Sequence, residues 1–517
     1  MTDHAFKKKT SLDKDLKKII RLEKATQESS QQFLKIGLAV LFLVAVWMFA
    51  TLQTGDSGND LSIYIIAAGI IGGYMALNIG ANDVANNVGP AVGSKALTMM
   101  GALIIAAVFE SAGAILAGGD VVSTIKKGII DPSLMPDTLT FIHAMMAALL
   151  AAALWLNLAT ILGAPVSTTH SIVGGVMGAG IAATGFAAVN WPTMGKIAAS
   201  WVISPVMGGV IAALFLAFLK VAVLNKDDKI TAARRWVPVV VAIMGSAFSV
   251  YLVKKGLKHI WKADLLSVSL IGVVAFAVCY MLVKMSIDKR SATMENRKKS
   301  VYGLFVIPMI FSAALLSFAH GANDVANAVG PLAAIVTAAG GEGIVAKAAI
   351  PLWVMLVGAA GISAGLVLFG PKLIRTVGEK ITKLNPLRAF CVALAAAITV
   401  IIASNLGLPV SSTHIAVGGV FGVGLYREFL SNRKRRIVKP SALGESAHLV
   451  EAITRAAEGV DEILEEKSAK RMKKAVKRKL VRRQHMMTIA TAWVVTVPAA
   501  AILAGLLFMA MRAAWGG

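Results

Sequence analysis

The chain is divided into apolar runs of about twenty residues, a pattern that few folds can use. The runs include 34–52, 61–79, 99–118, 140–162, 205–224, 264–285, 347–369, 388–406 and 486–511. Each is long enough to cross a hydrocarbon core of about 30 Å. A soluble core would need polar residues between its elements at much shorter intervals. Charged residues make up 15% of the 517, against about 25% in soluble domains. The expectation is an all-α polytopic membrane protein.

A formal net charge of +24 would suggest a nucleic-acid partner in a soluble protein. Here the basic residues lie outside the apolar runs, mainly in 7–24, 284–299 and 427–485. That is where the positive-inside bias places cytoplasmic segments. No separate basic fold is left to bind DNA or RNA, so nucleic acid is excluded and the basic loops are expected to meet anionic lipid headgroups. The first 32 residues are too long and too mixed in charge for a secretory leader. No small-residue cleavage site follows the run 34–50, which therefore reads as a retained helix with its N-terminus in the cytoplasm. The lysine-free loop GDSGND at 55–60 then lies outside. Segment 427–485 carries 17 Lys/Arg against 8 Asp/Glu and reads as a cytoplasmic insertion, helical from Glu445 to Arg483. Cys279 and Cys391 lie inside apolar runs and form no disulfide framework.

An internal repeat organises the rest. Residues 80–90 read GANDVANNVGP and residues 321–331 read GANDVANAVGP, differing only at Asn87 against Ala328. A second pair follows in the same order, APVSTTHSIVGGVMG from Ala164 and LPVSSTHIAVGGVFG from Leu408. The two offsets are 241 and 244 residues, so the duplication spans long stretches. Copies are parallel or inverted according to whether an even or odd number of crossings separates them. The expected organisation is a basic segment with an extra helix (1–55), a first repeat (56–225), and connecting helices with a basic linker (226–300). The second repeat (301–426) follows, then the charged insertion (427–485) and a terminal helix of that repeat (486–517).

Each GANDVAN copy is a poor stretch of ordinary spanning helix. Asp83 or Asp324 at a helix centre costs about 2.5–3.5 kcal/mol even on lenient insertion scales. Asn82, Asn86, Asn323 and Asn327 add amides, and the flanking Gly and Pro are expected to loosen or break the helix. Such irregular backbone survives in a membrane where it is buried in protein or lines a wet cavity. Helix-to-helix hydrogen bonds there average only about 0.6 kcal/mol, too little to justify a buried Asp in both copies as simple glue. The serine motifs supply donors. Pro165 and Pro409 are expected at the first position of a half-helix, followed by the hydroxyls of Ser167, Thr168 and Thr169 and of Ser411, Ser412 and Thr413. Together with free N–H groups at a helix start they form an anion site without Lys or Arg. Back-bonding of these hydroxyls within a helix is the bland alternative.

Phosphate keeps one or two protons near neutral pH and sulfate keeps none, so Asp83 and Asp324 can accept a hydrogen bond from the first and repel the second. The same oxygens suit sodium. Glu110, an isolated carboxylate in an apolar helix, reads as a cation ligand, a proton carrier or a helix contact. His170 and His414 lack companion ligands at metal spacing and are expected to orient or back the serine turns. His320 has no counterpart, since Ile79 stands in its place. Asn157, Thr160, Ser404 and Asn405 are expected around the site. The glycines of GGVMGAG at 174–180 follow no strand and read as helix packing.

The doubled GANDVAN with a doubled P-V-S-[ST]-T-H resembles the signature of the inorganic phosphate transporter (PiT, or Pho4) family, over both repeats from about residue 60 to the end. The resemblance implies an inverted-repeat fold of about twelve spans, with broken-helix hairpins meeting around one phosphate. It implies secondary active symport with Na+ or H+ and no other cofactor. Asp83 and Asp324 match the family's motif aspartates, and Glu110 matches the acidic residue in the helix after the first motif. Upstream of the second serine motif many members have Glu or Gln where this chain has Ala393, which leaves the identity and number of coupling ions open. The expected partners are inorganic phosphate and membrane lipid, with a homo-oligomer left open, and the expected location is a prokaryotic inner membrane. Sulfate or a metal–phosphate complex on the same scaffold, and an anion channel, are the rival readings. A metal-dependent hydrolase would need a nucleophile and a ligand set that the chain does not show.

Overall fold

A computed structural model describes residues 11–55, 61–164, 166–256, 261, 263–342, 350–380, 384–432 and 483–515. Among them no β-strand occurs, and the only ladder contact is a bridge between Ile130 and Val189. Seventeen helices follow in order: α1 Ser11–Thr54, α2 Ser62–Gly93, α3 Met99–Ala117, α4 Gly119–Lys127, α5 Thr138–Leu162 and α6 Thr168–Thr184. Next come α7 Trp191–Leu219, α8 Lys229–Tyr251, α9 Leu265–Ser291, α10 Lys298–Leu304, α11 Val306–Asp324 and α12 Ala326–Thr337. The chain ends with α13 Leu352–Phe369, α14 Pro371–Lys380, α15 Pro386–Asn405, α16 at 412–432 and α17 Arg483–Trp515. Eleven helical stretches among the described residues are long and apolar enough to cross a membrane, beside the expected twelve or so. The protein is a multi-pass membrane protein. Residues 56–60, Pro165 and, of the expected insertion 427–485, residues 433–482 with nearly all of its expected helix lie outside the described residues, while 427–432 and 483–485 are helical within α16 and α17.

The copies interlock reciprocally. α2 packs on α13 and α11 packs on α3; α14 lies on α2 and α4 on α12. At each of the first two crossings a glycine lets backbones touch. A Cβ on Gly80 would stand 1.9 Å from the Ile362 carbonyl oxygen, and one on Gly321 would stand 2.0 Å from that of Glu110. Close approach through small residues is how helices associate without a hydrophobic drive between them. Where the copies meet, Ser111 Oγ lies 2.6 Å from Ser363 Oγ, a residue 252 positions later.

The two motif types differ from expectation in where the helix breaks. GANDVANNVGP stays inside the unbroken α2 with Pro90 included, and its counterpart is interrupted only at Val325, which keeps helical angles (φ −56°, ψ −30°). Side-chain amides and neighbouring helices hold the chain there, so a proline's missing N–H is tolerated. The breaks fall in the serine motifs. α5 and α15 are followed by Gly163 (φ +70°) and Gly407 (φ +66°) in the left-handed region, which ends a helix at little cost for glycine. Helix resumes at Thr168 and at 412, not at the prolines. Ser167 and Ser411 are the N-caps, their hydroxyls accepting from the His170 N–H (3.1 Å) and the His414 N–H (3.3 Å). A serine cap satisfies an orphan donor that proline at N1 would leave open, and this moves the start two residues beyond Pro409's successor.

Candidate functional site

The site is assembled by a set of bonds that nearly repeats under exchange of the copies. Asn82 Nδ2 donates to Thr160 Oγ1 (3.1 Å) and to the Ala164 carbonyl (3.3 Å). Asn323 Nδ2 donates to Ser404 Oγ (2.9 Å) and to the Leu408 carbonyl (3.3 Å). Each first asparagine thus holds the broken segment of its own copy. Each second asparagine reaches across. Asn86 Nδ2 donates to Thr413 Oγ1 at 2.7 Å, and Asn327 Nδ2 lies 3.2 and 3.3 Å from Thr168 and Thr169 Oγ1. The threonines cross as well: Thr413 Oγ1 lies 3.3 Å from the Val166 carbonyl oxygen, and Thr169 donates to the Val410 carbonyl (3.0 Å).

Two carboxylates lie at the centre, both fully buried. Asp83 Oδ1 accepts from Thr413 Oγ1 at 3.0 Å, and Asp324 Oδ2 accepts from Ser412 Oγ at 2.9 Å. All of Asn82, Asp83, Asn86, Ser167, Thr168, Thr169, Asn323, Asp324, Asn327, Ser411, Ser412 and Thr413 are buried and brought together. Of the peripheral residues, Thr160 and Ser404 touch the site through Asn82 and Asn323, and Asn157 donates to Asn78 Oδ1 (3.2 Å). Asn405 is exposed and takes no part; Ala393 is buried in the apolar core.

Two residues that were not assigned to the site also stand in it. His320 Nε2 is 2.8 Å from Asp324 Oδ2 and 3.7 Å from Asp83 Oδ2, while Nδ1 is 3.2 Å from Glu110 Oε2. Asn87 Nδ2 donates to Glu110 Oε1 at 2.7 Å. The signals were present: His320 is one helical turn before Asp324, and Asn87 is the one difference between the GANDVAN copies. Ligand atoms of Asp83, His320 and Asp324 lie within 4.8 Å of one another. Behind the serine turns the rings of His170 and His414 meet edge to face at 4.4 Å, and His170 packs against Trp201 at 3.8 Å.

The inventory is chemically pointed. Hydroxyls and amides of both copies are donors for an anion. Asn86 Oδ1, Asn327 Oδ1 and Asp324 Oδ1 are buried acceptors without a hydrogen-bond partner among the described residues, which suits a hard cation or the proton of a substrate. A model of the phosphate transporter family matches residues 79–504, taking in both motif pairs. The chain belongs to the phosphate transporter family. A Helicobacter pylori protein described as "Putative phosphate permease" is 47% identical over 96% of this chain and 98% of its own. A Pyrococcus furiosus relative of the same description is 37% identical over 86% and 96%. A solved structure titled "The sodium-dependent phosphate transporter" superposes with a TM-score of 0.73 at 33% identity, covering 87% of this chain and 99% of the other.

Proposed function

We propose that the protein carries inorganic phosphate across a prokaryotic inner membrane by secondary active symport with Na+ or H+. The observation that supports this most is the reciprocal crossing of Asn86 to Thr413 and Asn327 to Thr168 and Thr169 around two carboxylates. A substrate bound there is held by both copies at once, as alternating access requires of a midplane site between inverted repeats.

In this reading Thr168, Thr169, Ser412 and Thr413 turn their hydroxyls from the carboxylates and carbonyls they now meet to the phosphate oxygens. The Asn86 and Asn327 amides and the N–H groups at the starts of α6 and α16 complete the donor set. Ser167 and Ser411 hold those helix starts in place. Asp83 and Asp324 accept hydrogen bonds from protonated phosphate oxygens, which sulfate cannot supply. No Lys or Arg lies among these residues, and dipoles release an anion more readily than a paired guanidinium would. The oxygens of Asn82, Asp83, Asn323, Asp324 and Glu110 are the ones that would hold Na+, whereas Glu110 and the aspartates beside His320 would carry H+. Each broken segment, tied by its own asparagine and bent at Gly163 or Gly407, opens the site to one side. The N-terminus and the 427–485 insertion are cytoplasmic in this arrangement.

The test is uptake of radiolabelled phosphate into proteoliposomes under a sodium gradient, a pH gradient, or neither, with sulfate as competitor. Uptake driven by one gradient, resistant to sulfate and lost in Asp83→Asn and Asp324→Asn, is expected. Uptake that needs no gradient would make the protein a channel, and normal transport by the two variants would remove the site.

A further inference from the structure

α1 touches the rest of the protein unevenly. In its spanning stretch, Ser30–Thr54, only Val46 and Ala50 are buried. They sit on α2 at glycines: a Cβ on Gly69 would lie 3.3 Å from that of Ala50, and one on Gly73 would lie 3.4 Å from Val46. Toward its N-terminal end α1 leaves a cavity of about 630 Å³ against α2, α5 and the start of α14. That volume lies in the range of sites for a single small amphiphile.

The cavity is graded along the helix axis. Gln32 and Lys35, in the first turns of the span, line it together with Lys372. Lys372 Nζ is pinned at the mouth by donating to the Ile161 carbonyl at 2.7 Å. Deeper lie Val40, Leu43 and Leu77. At 1.5 Å per residue Leu43 stands about 12 Å from Lys35 along α1, so the cations line one end of the cavity and Val40, Leu43 and Leu77 lie toward the other. A free inorganic anion would gain nothing from that wall. Two ammonium groups above an apolar slot complement one molecule only, a lipid with an anionic head, and basic pockets between helices on the cytoplasmic side are where such heads bind.

We infer that the cavity between α1 and the α2–α5–α14 face is a binding site for one anionic phospholipid, its phosphate held by Lys35 and Lys372 and an acyl chain lying along Val40, Leu43 and Leu77. Its inner wall belongs to the transport machinery. Asn78 is one turn before Asn82 on α2, and Thr160, which also lines the cavity, accepts the Asn82 amide that holds the first serine segment. The lipid therefore braces the wall on which that segment hangs. This inference does not depend on which ion drives transport or on the identity of the substrate.

The test uses the full chain in detergent, analysed by native mass spectrometry after incubation with phosphatidylglycerol or phosphatidylethanolamine. One phosphatidylglycerol is expected to survive on the wild type. Its occupancy should drop about fivefold in Lys35→Gln, the scale set by one basic residue at an anionic surface, and comparably in Val40→Trp, which fills the slot without touching charge. Both positions line the cavity without packing into the core, and thermal unfolding of the variants checks that the fold is intact. Equal retention of phosphatidylethanolamine, or undiminished phosphatidylglycerol in both variants, overturns the assignment. So does protection of Lys35 from acetylation by inorganic phosphate alone, which would make the rim a vestibule for free phosphate.

Discussion

The α2–α13 and α11–α3 crossings use one backbone design for opposite chemistries. In both, a glycine of the GANDVAN motif lies on a carbonyl of the helix that follows the other copy's motif: Gly80 on Ile362, Gly321 on Glu110. Beside these contacts the first crossing has Ile79 and Ile362, both without solvent exposure. The second has His320 and Glu110, equally buried and 3.2 Å apart. Both crossings share the same close approach of backbones, and a polar pair stands at one of them only. Each half of that pair has a second partner, Asn87 for Glu110 and Asp324 for His320, so losing one member leaves the other with one polar contact fewer in a buried place.

That contrast can be broken in stages. Glu110→Ile should cost about 2–6 kcal/mol, since it takes an acceptor from two buried groups, Asn87 Nδ2 and His320 Nδ1, at about 1–3 kcal/mol for each. Glu110→Ile with His320→Ile should recover the part of that loss that comes from the His320 contact in thermal unfolding, while Asn87 stays without its acceptor and phosphate uptake stays abolished. A double variant no more stable than the single would show that the two residues are not a unit. Next come Gly80→Ala and Gly321→Ala, each expected to cost about 3 kcal/mol because a methyl group would be forced onto backbone. Equal loss of folded protein in both would show that the approach is common to the crossings. An asymmetric result would tie it to the polar pair.

Asn82→Ala and Asn323→Ala free the broken segments, at about 1–3 kcal/mol each for unpaired buried groups. The Asn82 variant should be the more damaged, since Asn82 Oδ1 also accepts the Val166 N–H (3.3 Å) whereas Asn323 Oδ1 has no such partner among the described residues. The smallest effect concerns the helices that lead into the breaks. Asp137 caps α5 by accepting the Thr140 N–H, and Asn385 caps α15 by accepting the Arg388 N–H. The Thr140 N–H holds Asp137 below the ordinary carboxylate range. A depressed folded-state pKa gives stability that is present above the unfolded value and lost as pH falls through the folded one. Asp137→Ala should thus cost about 1 kcal/mol at neutral pH and progressively less in acid. Asn385→Ala should cost a similar amount at every pH, as followed by thermal unfolding across a pH series.

The membrane class, the duplication and the twelve buried residues of the two motif pairs were legible because a polar group in an apolar run has no other excuse. Helix breaks were misplaced for a local reason. Proline and glycine in GANDVANNVGP read as breakers, but the amides around them and tight neighbours keep α2 whole, while a serine cap decides where α6 and α16 begin. His320 was visible and unassigned, since its meaning depends on Glu110, which lies more than two hundred residues earlier and is brought to it only by the α3–α11 crossing. The cavity beside α1 left no motif at all, because its lining comes from helices far apart in the sequence.

The Ser111–Ser363 contact has a consequence for the symmetry itself. Besides facing each other at 2.6 Å, Ser363 lies 3.1 Å from the Ala107 carbonyl and Ser111 lies 3.5 Å from that of Ala359. A hydroxyl has one hydrogen. Two hydroxyls meeting at a shared midpoint cannot both donate to each other, so whichever gives its hydrogen to the other leaves the other free to serve a carbonyl. The two halves are therefore never identical at this point, even where their heavy atoms match. Reversing a pair of hydrogens exchanges donor and acceptor at this contact, and it does so without moving a helix.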